Sequence, residues 1–576
     1  MNLLITTLRI LNQKEKFNLF LIFMLITISS FLEMIGIGLI LPLLTIIIDN
    51  NFFYNNEIVN LIKLRFNIES KNQFVILIIV ILVIANLLKA SFLTLTAWKQ
   101  ARDISNIHIR FTNKLYLDYI NSPWNFLVNK NSGTLLRNIH MSTHEFTSKI
   151  LVSYIQIASE VMMLGFVISM LLILQFKMTI LAILFFSFVG FVAQKITKKY
   201  NLKFGEIRNK NLQLINKHLI ETFRIFKLIR IFNKEKIFSN NYLDISSKEI
   251  MAKTSQDIFN KLPRIWIEFF SILTICLITI IATNINENFS SLIPIIGLFV
   301  AAAYKLLPSL TRILNTTQNF RFAKPAVLDL EKEMNEINKN LNLIQIKNND
   351  TKINRINVKN NIIIKNIYFS YGDSKQNVFE NFSYEIEKNK VLGIIGESGS
   401  GKSTLVDLLM GISSPKSGKI LIDGKDDIGN FTRYWQSKIG YVPQETYLLD
   451  ESIKKNIAFG IPENQIDIEK IEKIISSIGL SEMIENLPEG INSKVGDNGV
   501  KISGGQKQRL GIARALYISP QIMILDEATS ALDIKNEEII LKLINNFKNE
   551  ISIIIVSHRQ TIFPYCNKIL NLDEIK

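Results

Sequence analysis

The chain has 576 residues and a formal net charge of +16, with 48% hydrophobic residues and a mean hydropathy of +0.22. That length holds more than one domain, and that hydropathy is high for a chain without membrane segments. Cys276 and Cys566 lie far apart in unlike surroundings, which excludes a disulfide framework, and the basic residues sit beside apolar stretches without any recognition motif, which excludes a nucleic-acid binder.

In chain order, Met1 to Lys16 places Leu4, Ile5, Leu8 and Leu11 at helical spacing, as in an amphipathic helix lying on a membrane surface. No small-residue cleavage site follows, so a removable signal peptide is not expected. Six apolar stretches, 20–48, 74–98, 151–176, 179–192, 266–283 and 292–314, are candidates to cross a bilayer, which takes ~20 residues each. Cations crowd between Lys195 and Arg264 and between Lys99 and Arg137, while the turns near Lys177 and Glu287 have almost none. This positive-inside pattern predicts a multi-pass protein of the cytoplasmic membrane with both termini in the cytoplasm.

Between the first two stretches, 51–66 carries Phe52, Phe53, Tyr54, Ile58, Leu61, Ile62 and Leu64. It is read either as a short external amphipathic helix or as an ordinary loop packed on the bilayer. Long basic helical segments separate the second and third spans and again the fourth and fifth. Each contains a break, at Ser122-Pro123 through Gly133 and near Glu221 to Phe232, read as a short turn helix or a plain cytoplasmic turn. The predicted organisation is a membrane domain over 1–322, a linker over 323–358 and a soluble domain over 359–576.

The soluble domain begins with strand patterns at 361–370 and 378–386. A short apolar strand at 391–395 then runs into Gly396-Glu-Ser-Gly-Ser-Gly-Lys402-Ser403-Thr404 and a helix. Glycines at that junction turn backbone N–H groups and a helix N-terminus toward phosphate, Lys402 reaches the β and γ phosphates, and the Ser403 hydroxyl ligates Mg²⁺. Asp526 ends the apolar strand Ile522-Met-Ile-Leu and is a second Mg²⁺ anchor, with Glu527 beside it to orient or deprotonate water.

With Gln444, Ser503-Gly504-Gly505-Gln506, Ser530-Ala-Leu-Asp533 and His558 in this order, the region resembles the nucleotide-binding domain of ATP-binding-cassette (ABC) proteins. Together with the apolar spans, the chain resembles an exporter-type half-transporter. The implied fold is multi-domain: an all-α six-helix transmembrane domain followed by an α/β P-loop ABC nucleotide-binding domain.

The resemblance implies ATP and Mg²⁺ as cofactors, held by Tyr371 on adenine and by Gly396, Ser398, Gly399, Ser400, Gly401, Lys402, Ser403 and Thr404 on phosphate. It further implies that Gln444 joins the Mg²⁺ shell and that His558 contacts the γ-phosphate, so that catalysis falls to Glu527, His558 and Gln444. Ser503, Gly504, Gly505 and Gln506 complete the site of a second subunit, with Asp533 at the dimer interface. Ile502 stands where the family usually has leucine, and Val495-Gly496-Asp497 resembles a loop specific to exporters. One cassette per chain implies a homodimer, with a heterodimer as the alternative. The chain stops at Lys576, where many exporters continue, so a C-terminal dimer clamp is not expected. No peptidase domain precedes the first span, which argues against a processing peptide exporter.

Ionisable groups in the apolar spans bear on cargo. Lys89, Lys305 and Arg312 sit within spans and Arg264 opens one, with Glu33, Glu160 and Glu268 available as partners. Cations there are expected to face a cavity or to pair with acids. Ser30-Phe31-Leu32-Glu33, Leu262-Pro263-Arg264 and Ala301-Ala302-Ala303-Tyr304-Lys305 with Pro308 resemble the PglK-type flippases of lipid-linked oligosaccharides. That resemblance implies that Lys89, Arg264, Lys305 and Arg312 attract the pyrophosphate of a polyprenyl-linked sugar. Two of the four are lysines where the family favours arginine. A multidrug, lipid or peptide exporter and a non-transport ABC ATPase are the competing readings.

Overall fold

The structure, a computed structural model, describes residues 11–574 apart from 49–56, 67, 69, 129, 285–288, 348–356, 372–376, 497–498, 529–533 and 548. The surface helix expected at the N-terminus therefore lies almost wholly outside the described residues. The chain divides into two units, Met1–Ser122 with Leu127–Asn338, and Pro123–Phe126 with Lys339–Lys576.

The first unit is helical: α1 (Gln13–Gly38), α2 (Ile40–Ile48), α3 (Glu57–Phe66), α4 (Lys71–Ile120), α5 (Trp124–Val128, which straddles the division), α6 (Ser132–Leu136), α7 (Val152–Leu174), α8 (Phe176–Arg224), α9 (Phe226–Ile231), α10 (Glu235–Asn284) and α11 (Phe289–Lys347). Helix α4 starts where Ser70 and Gln73 cap each other reciprocally, which satisfies backbone donors left over at a helix start. Two π-helical stretches, Arg137–Ser142 and Glu145–Leu151, join α6 to α7 without a break.

Among the described residues five stretches are long and apolar enough to cross a bilayer: Gln13–Ile47, Lys71–Ile120, Ser132–Leu174, Phe176–Arg224 and Ile296–Leu341. The expected fifth span, 266–283, lies in α10. Leu184, Phe188 and Phe191 recur on one face of α8 and are each about two-thirds exposed, as suits side chains whose solvent is lipid rather than water. Helix α3 forms within the segment between the first two spans; Val59 is buried against Ile46, Phe74 and Ile78, while Leu61 and Leu64 point outward. Both expected breaks are present. Asn131 caps α6 after α5, and α9 with the turn at Asn233 separates the two long helices α8 and α10. Helix α11 continues to Lys347 through most of the segment expected to be a linker.

The second unit is α/β. Strands β1 (Asn361–Phe369), β2 (Phe379–Glu387), β4 (Ser417–Ile422) and β5 (Asp426–Asp427) form an antiparallel sheet in the order β2-β1-β4-β5. A parallel sheet in the order β6-β7-β8-β3-β9 combines β3 (Val391–Ile395), β6 (Ile439–Val442), β7 (Ile522–Asp526), β8 (Ser552–Val556) and β9 (Lys568–Asn571). Strands β3, β7 and β8, the inner three, are buried on both faces and read as continuous apolar runs rather than alternating ones. Helices α12 (Lys402–Leu409), α13 (Gly504–Tyr517) and α14 (Ile534–Phe547) cover the parallel sheet. Trp435, fully buried, donates its indole N–H to the Leu409 carbonyl at 2.7 Å and ties the end of α12 to the core.

Candidate functional site

Ligands in a parallel sheet bind at the carboxyl ends of its strands, and here β3 and β7 bring two of the expected motifs to that edge. Strand β3 delivers Gly396, and the chain then turns with Gly399 at φ 88° and Gly401 at φ 103°, a left-handed region where a Cβ is costly. Gly401 caps α12, so the backbone N–H groups of Lys402, Ser403 and Thr404 open that helix. Lys402 is buried, and its ammonium donates to the Gly396 and Glu397 carbonyls, both at 2.8 Å. Burial lowers its pKa, against the raising influence of Glu527, Asp573 and Asp526. The Ser400 hydroxyl is buried among these glycines without a hydrogen-bond partner. A helix start with a buried ammonium and an unpartnered buried hydroxyl beside it fits a phosphate chain.

Asp526 closes β7 and accepts from the Tyr441 hydroxyl at 3.2 Å. Burial raises its pKa; the Tyr441 bond opposes this, Glu527 adds to it and Lys402 lowers it. An acid within the field of the Lys402 ammonium, together with the helix-opening Ser403, is a donor set whose chemistry fits a divalent cation. Glu527 follows at φ 47°, a strained conformation for a side chain of its kind, held by its N–H on the Val556 carbonyl at 3.0 Å. That turn swings its carboxylate away from the strand. Gln444 donates to it at 2.9 Å, and the His558 ring nitrogen lies 2.6 Å from its other oxygen. The three groups expected to carry catalysis therefore converge on one carboxylate.

Tyr371 is half exposed, set edge-on to Phe369 at 5.0 Å, and its hydroxyl pairs with the Thr404 hydroxyl at 2.9 Å. Ser503 and Gln506 form a reciprocal cap on α13, so Gly504 and Gly505 open that helix at the protein surface. Ser530, Asp533 and Asp497 lie outside the described residues.

Two contributors escaped sequence reading. Asp573, after β9, accepts from the Glu397 N–H with both oxygens, at 3.1 and 2.9 Å, and steadies the glycine loop. Tyr441, two residues into the Gly440-Tyr-Val-Pro-Gln444 run, reads as an ordinary strand aromatic until its hydroxyl is seen on Asp526.

In the helical unit, Glu33 bridges Lys89 at 2.6 Å and Lys305 at 3.0 Å, and Arg312 pairs with Glu160 at 2.7 Å. All five line one cavity of about 240 Å³ with Ser29, Ser30 and Ser159. Arg264 does not join them; it pairs with Glu268 one turn along its own helix and is largely exposed. The structure thus brings together three of the four expected cations and leaves the fourth apart. A separate, mainly apolar cavity of about 430 Å³ lies between α7, α8, α10 and α11, lined by Leu164, Ile168, Phe186, Phe191 and Phe299 among others.

Comparison with known proteins places these features. The family description "ABC transporter transmembrane region" matches residues 19–307, and "ABC transporter" matches 379–530. An ATP-dependent lipid A-core flippase of Cupriavidus pinatubonensis is 36% identical over 217 residues, 37% of this chain and 37% of that protein. The alpha-hemolysin translocation ATP-binding protein HlyB of Escherichia coli O157:H7 is 40% identical over 216 residues, 38% of this chain and 30% of that one. The chain thus aligns with less than two-fifths of the length of either relative. A structure described as a bacterial Atm1-family ABC exporter with ATP bound superposes with a TM-score of 0.77, covering 98% of this chain and 94% of that one, at 20% identity, and shares the fold. With its helical membrane region and its α/β nucleotide-binding domain both matched, the chain belongs to the ABC transporter family.

Proposed function

We propose that the protein is an ATP-driven exporter that works as a homodimer in the cytoplasmic membrane, both termini in the cytoplasm, and flips a lipid-linked oligosaccharide of the polyprenyl pyrophosphate type out of the cytoplasmic leaflet. The observation that carries the cargo reading is the charged cavity of Glu33, Lys89, Glu160, Lys305 and Arg312 inside an apolar bundle, three cations against two carboxylates. Such a cluster is costly to keep in a membrane, and its surplus positive charge suits an anionic headgroup.

The ATPase step uses the groups at the strand edge. Gly399, Ser400, Gly401, Lys402 and Thr404 hold the triphosphate, Ser398 stands at the loop's apex, and Tyr371 takes the adenine. Ser403 and Asp526, with Gln444 beside them, would hold a Mg²⁺ ion, which would supply screening of the charge between phosphates. Glu527 orients a water and accepts its proton as the oxygen bonds to the γ-phosphorus; the bond from that phosphorus to ADP breaks, and ADP leaves with phosphate released. His558 donates to Glu527 or to the γ-phosphate, and Ser503, Gly504, Gly505 and Gln506 close over the nucleotide of the second copy, with Asp533 between the copies. Pairing and separation of cassettes then drives the helical unit through the turns at α5 and α9.

Reconstitution tests the cargo. Liposomes carrying the protein and a labelled pyrophosphate-linked lipid sugar are expected to lose label accessibility on one side only with Mg-ATP. ATP-independent or absent movement rejects the reading. A second reading, export of an apolar drug or lipid, is favoured by the 430 Å³ apolar cavity, and stimulation of ATPase by such compounds but not by the lipid sugar would establish it.

A further inference from the structure

A different cavity of the helical unit lies outside everything assigned above. It measures about 590 Å³, opens to solvent and is bounded by the start of the π-helical stretch after α6, by α8 and by α11, with Arg137, Lys210, Lys324, Lys332, Glu206 and Asp329 among its lining residues. Four cations oppose two carboxylates. Among the described residues Lys210, Lys324 and Lys332 have no ion pair. Asp329 is already engaged, accepting from the Asn209 amide at 2.7 Å.

Arg137 is the decisive group. It is 5% exposed, and its guanidinium donates to two neutral amide oxygens, Asn209 at 3.1 Å and Asn138 at 2.9 Å. The nearest carboxylate oxygen, on Asp329, is 4.0 Å away, and its Nε–H has no partner. With one carboxylate at the 4.0 Å limit of an ion pair and two neutral amides as its contacts, this buried cation is only partly compensated, and it favours an additional anion.

Position along the helices identifies the anion's source. Lys324 lies ten residues beyond position 314, where the sixth apolar stretch ends, and Lys210 eighteen beyond 192, where the fourth ends. At a helical rise of ~1.5 Å per residue, the cavity sits roughly 15–27 Å past the apolar spans. A lipid headgroup resting at the bilayer surface does not reach that depth, whereas a dissolved molecule does. Arginine and lysine around a cavity of this size suit clustered phosphate oxygens better than a single carboxylate.

We propose that this cavity binds a soluble anion carrying two or more phosphate groups, at a site separate from both the cassette and the charged cavity within the spans. The site lies where α8 and α11 run side by side with the segment leading into α7, so a bound polyanion neutralises Arg137 and ties the three together.

The test uses the full-length protein in nanodiscs of zwitterionic lipid, the cassette saturated with a non-hydrolysable Mg-ATP analogue, and radiolabelled inorganic pyrophosphate as probe. Saturable binding is expected, weakened at least tenfold in Lys210→Gln/Lys324→Gln/Lys332→Gln and kept within threefold in the corresponding triple arginine variant. The arginine variant keeps the charge, so retained binding there with loss in the glutamine variant assigns the effect to charge rather than to misfolding. No saturable binding to the wild-type protein, or equal binding by the glutamine variant, overturns the proposal. Repeating the measurement in nanodiscs with anionic lipid separates the sources: unchanged affinity supports a dissolved ligand, and competition by the lipid overturns that assignment. None of these outcomes depends on which cargo the transporter moves.

Discussion

Three constraints meet at Glu527, the proposed base: a left-handed backbone, an amide from Gln444 and the ring of His558. Glu527→Gln keeps the shape and removes the proton acceptor. ATP turnover is expected to fall at least a hundredfold while nucleotide binding persists, since a positioned acid-base group contributes ~10²–10⁴ in rate; phosphate release and nucleotide retention measure the two. Turnover near wild type would remove Glu527 from the role of base. Tyr441→Phe deletes only the hydroxyl that orients Asp526, and is expected to raise the Mg²⁺ concentration needed for half-maximal ATPase by several-fold with little change in thermal stability. At this scale the motif residues were legible because each chemistry demands one residue type at one spacing. Tyr441 and Asp573 were not, since their roles arise from where two strands end in space, 85 and 176 positions from the groups they touch.

Between residue and domain, the turn before β5 shows how one side chain sets an element. Asp423, at φ 51°, accepts from the backbone N–H groups of Lys359, Asn360 and Asn361 at 3.0, 2.7 and 3.1 Å, and so fixes where β1 begins. Partial burial alone would raise its pKa, but the three N–H donors outweigh it and hold the carboxyl below its usual range. A carboxylate depressed in the folded state contributes stability that is complete above its unfolded pKa and is lost as pH falls through the folded one. Asp423→Asn is therefore expected to weaken amide protection at Lys359 to Asn361 near neutral pH, and the gap from wild type to close below about pH 4; a gap that widens in acid would contradict this.

The α13 cap makes a second case at the same scale. Ser503→Ala removes an N-cap, expected to cost about 1 kcal/mol in chemical or thermal unfolding, and an effect on ATPase much larger than on stability would show that Ser503 also meets nucleotide. Helices here were legible in type more than in extent. The apolar stretch at 292–314 marks only part of α11, which runs on to Lys347 because the polar segment after it keeps its helical pattern and packs Phe322, Val327 and Leu330 inward.

Across the whole molecule, the fold class of a helical membrane part followed by an α/β part was legible in composition, because lipid and water select such different surfaces. What composition does not reveal is which charges meet. Lys89, Lys305 and Arg312 come from different helices and share one cavity through Glu33 and Glu160, whereas Arg264 satisfies itself within its own helix. Replacing the first three by alanine is expected to abolish flipping of a pyrophosphate-linked lipid while Arg264→Ala lowers it less than threefold. Equal losses, measured in the same liposomes, would put Arg264 back in the path.

The bond from Asp573 to the glycine loop carries a practical corollary. A protease nick or an engineered stop just ahead of that aspartate would leave every recognised nucleotide motif intact, yet unfasten the loop from its far anchor. Preparations trimmed there would keep their fold by circular dichroism and lose grip on ATP, so intact-mass verification of the tail belongs before any assay of the enzyme.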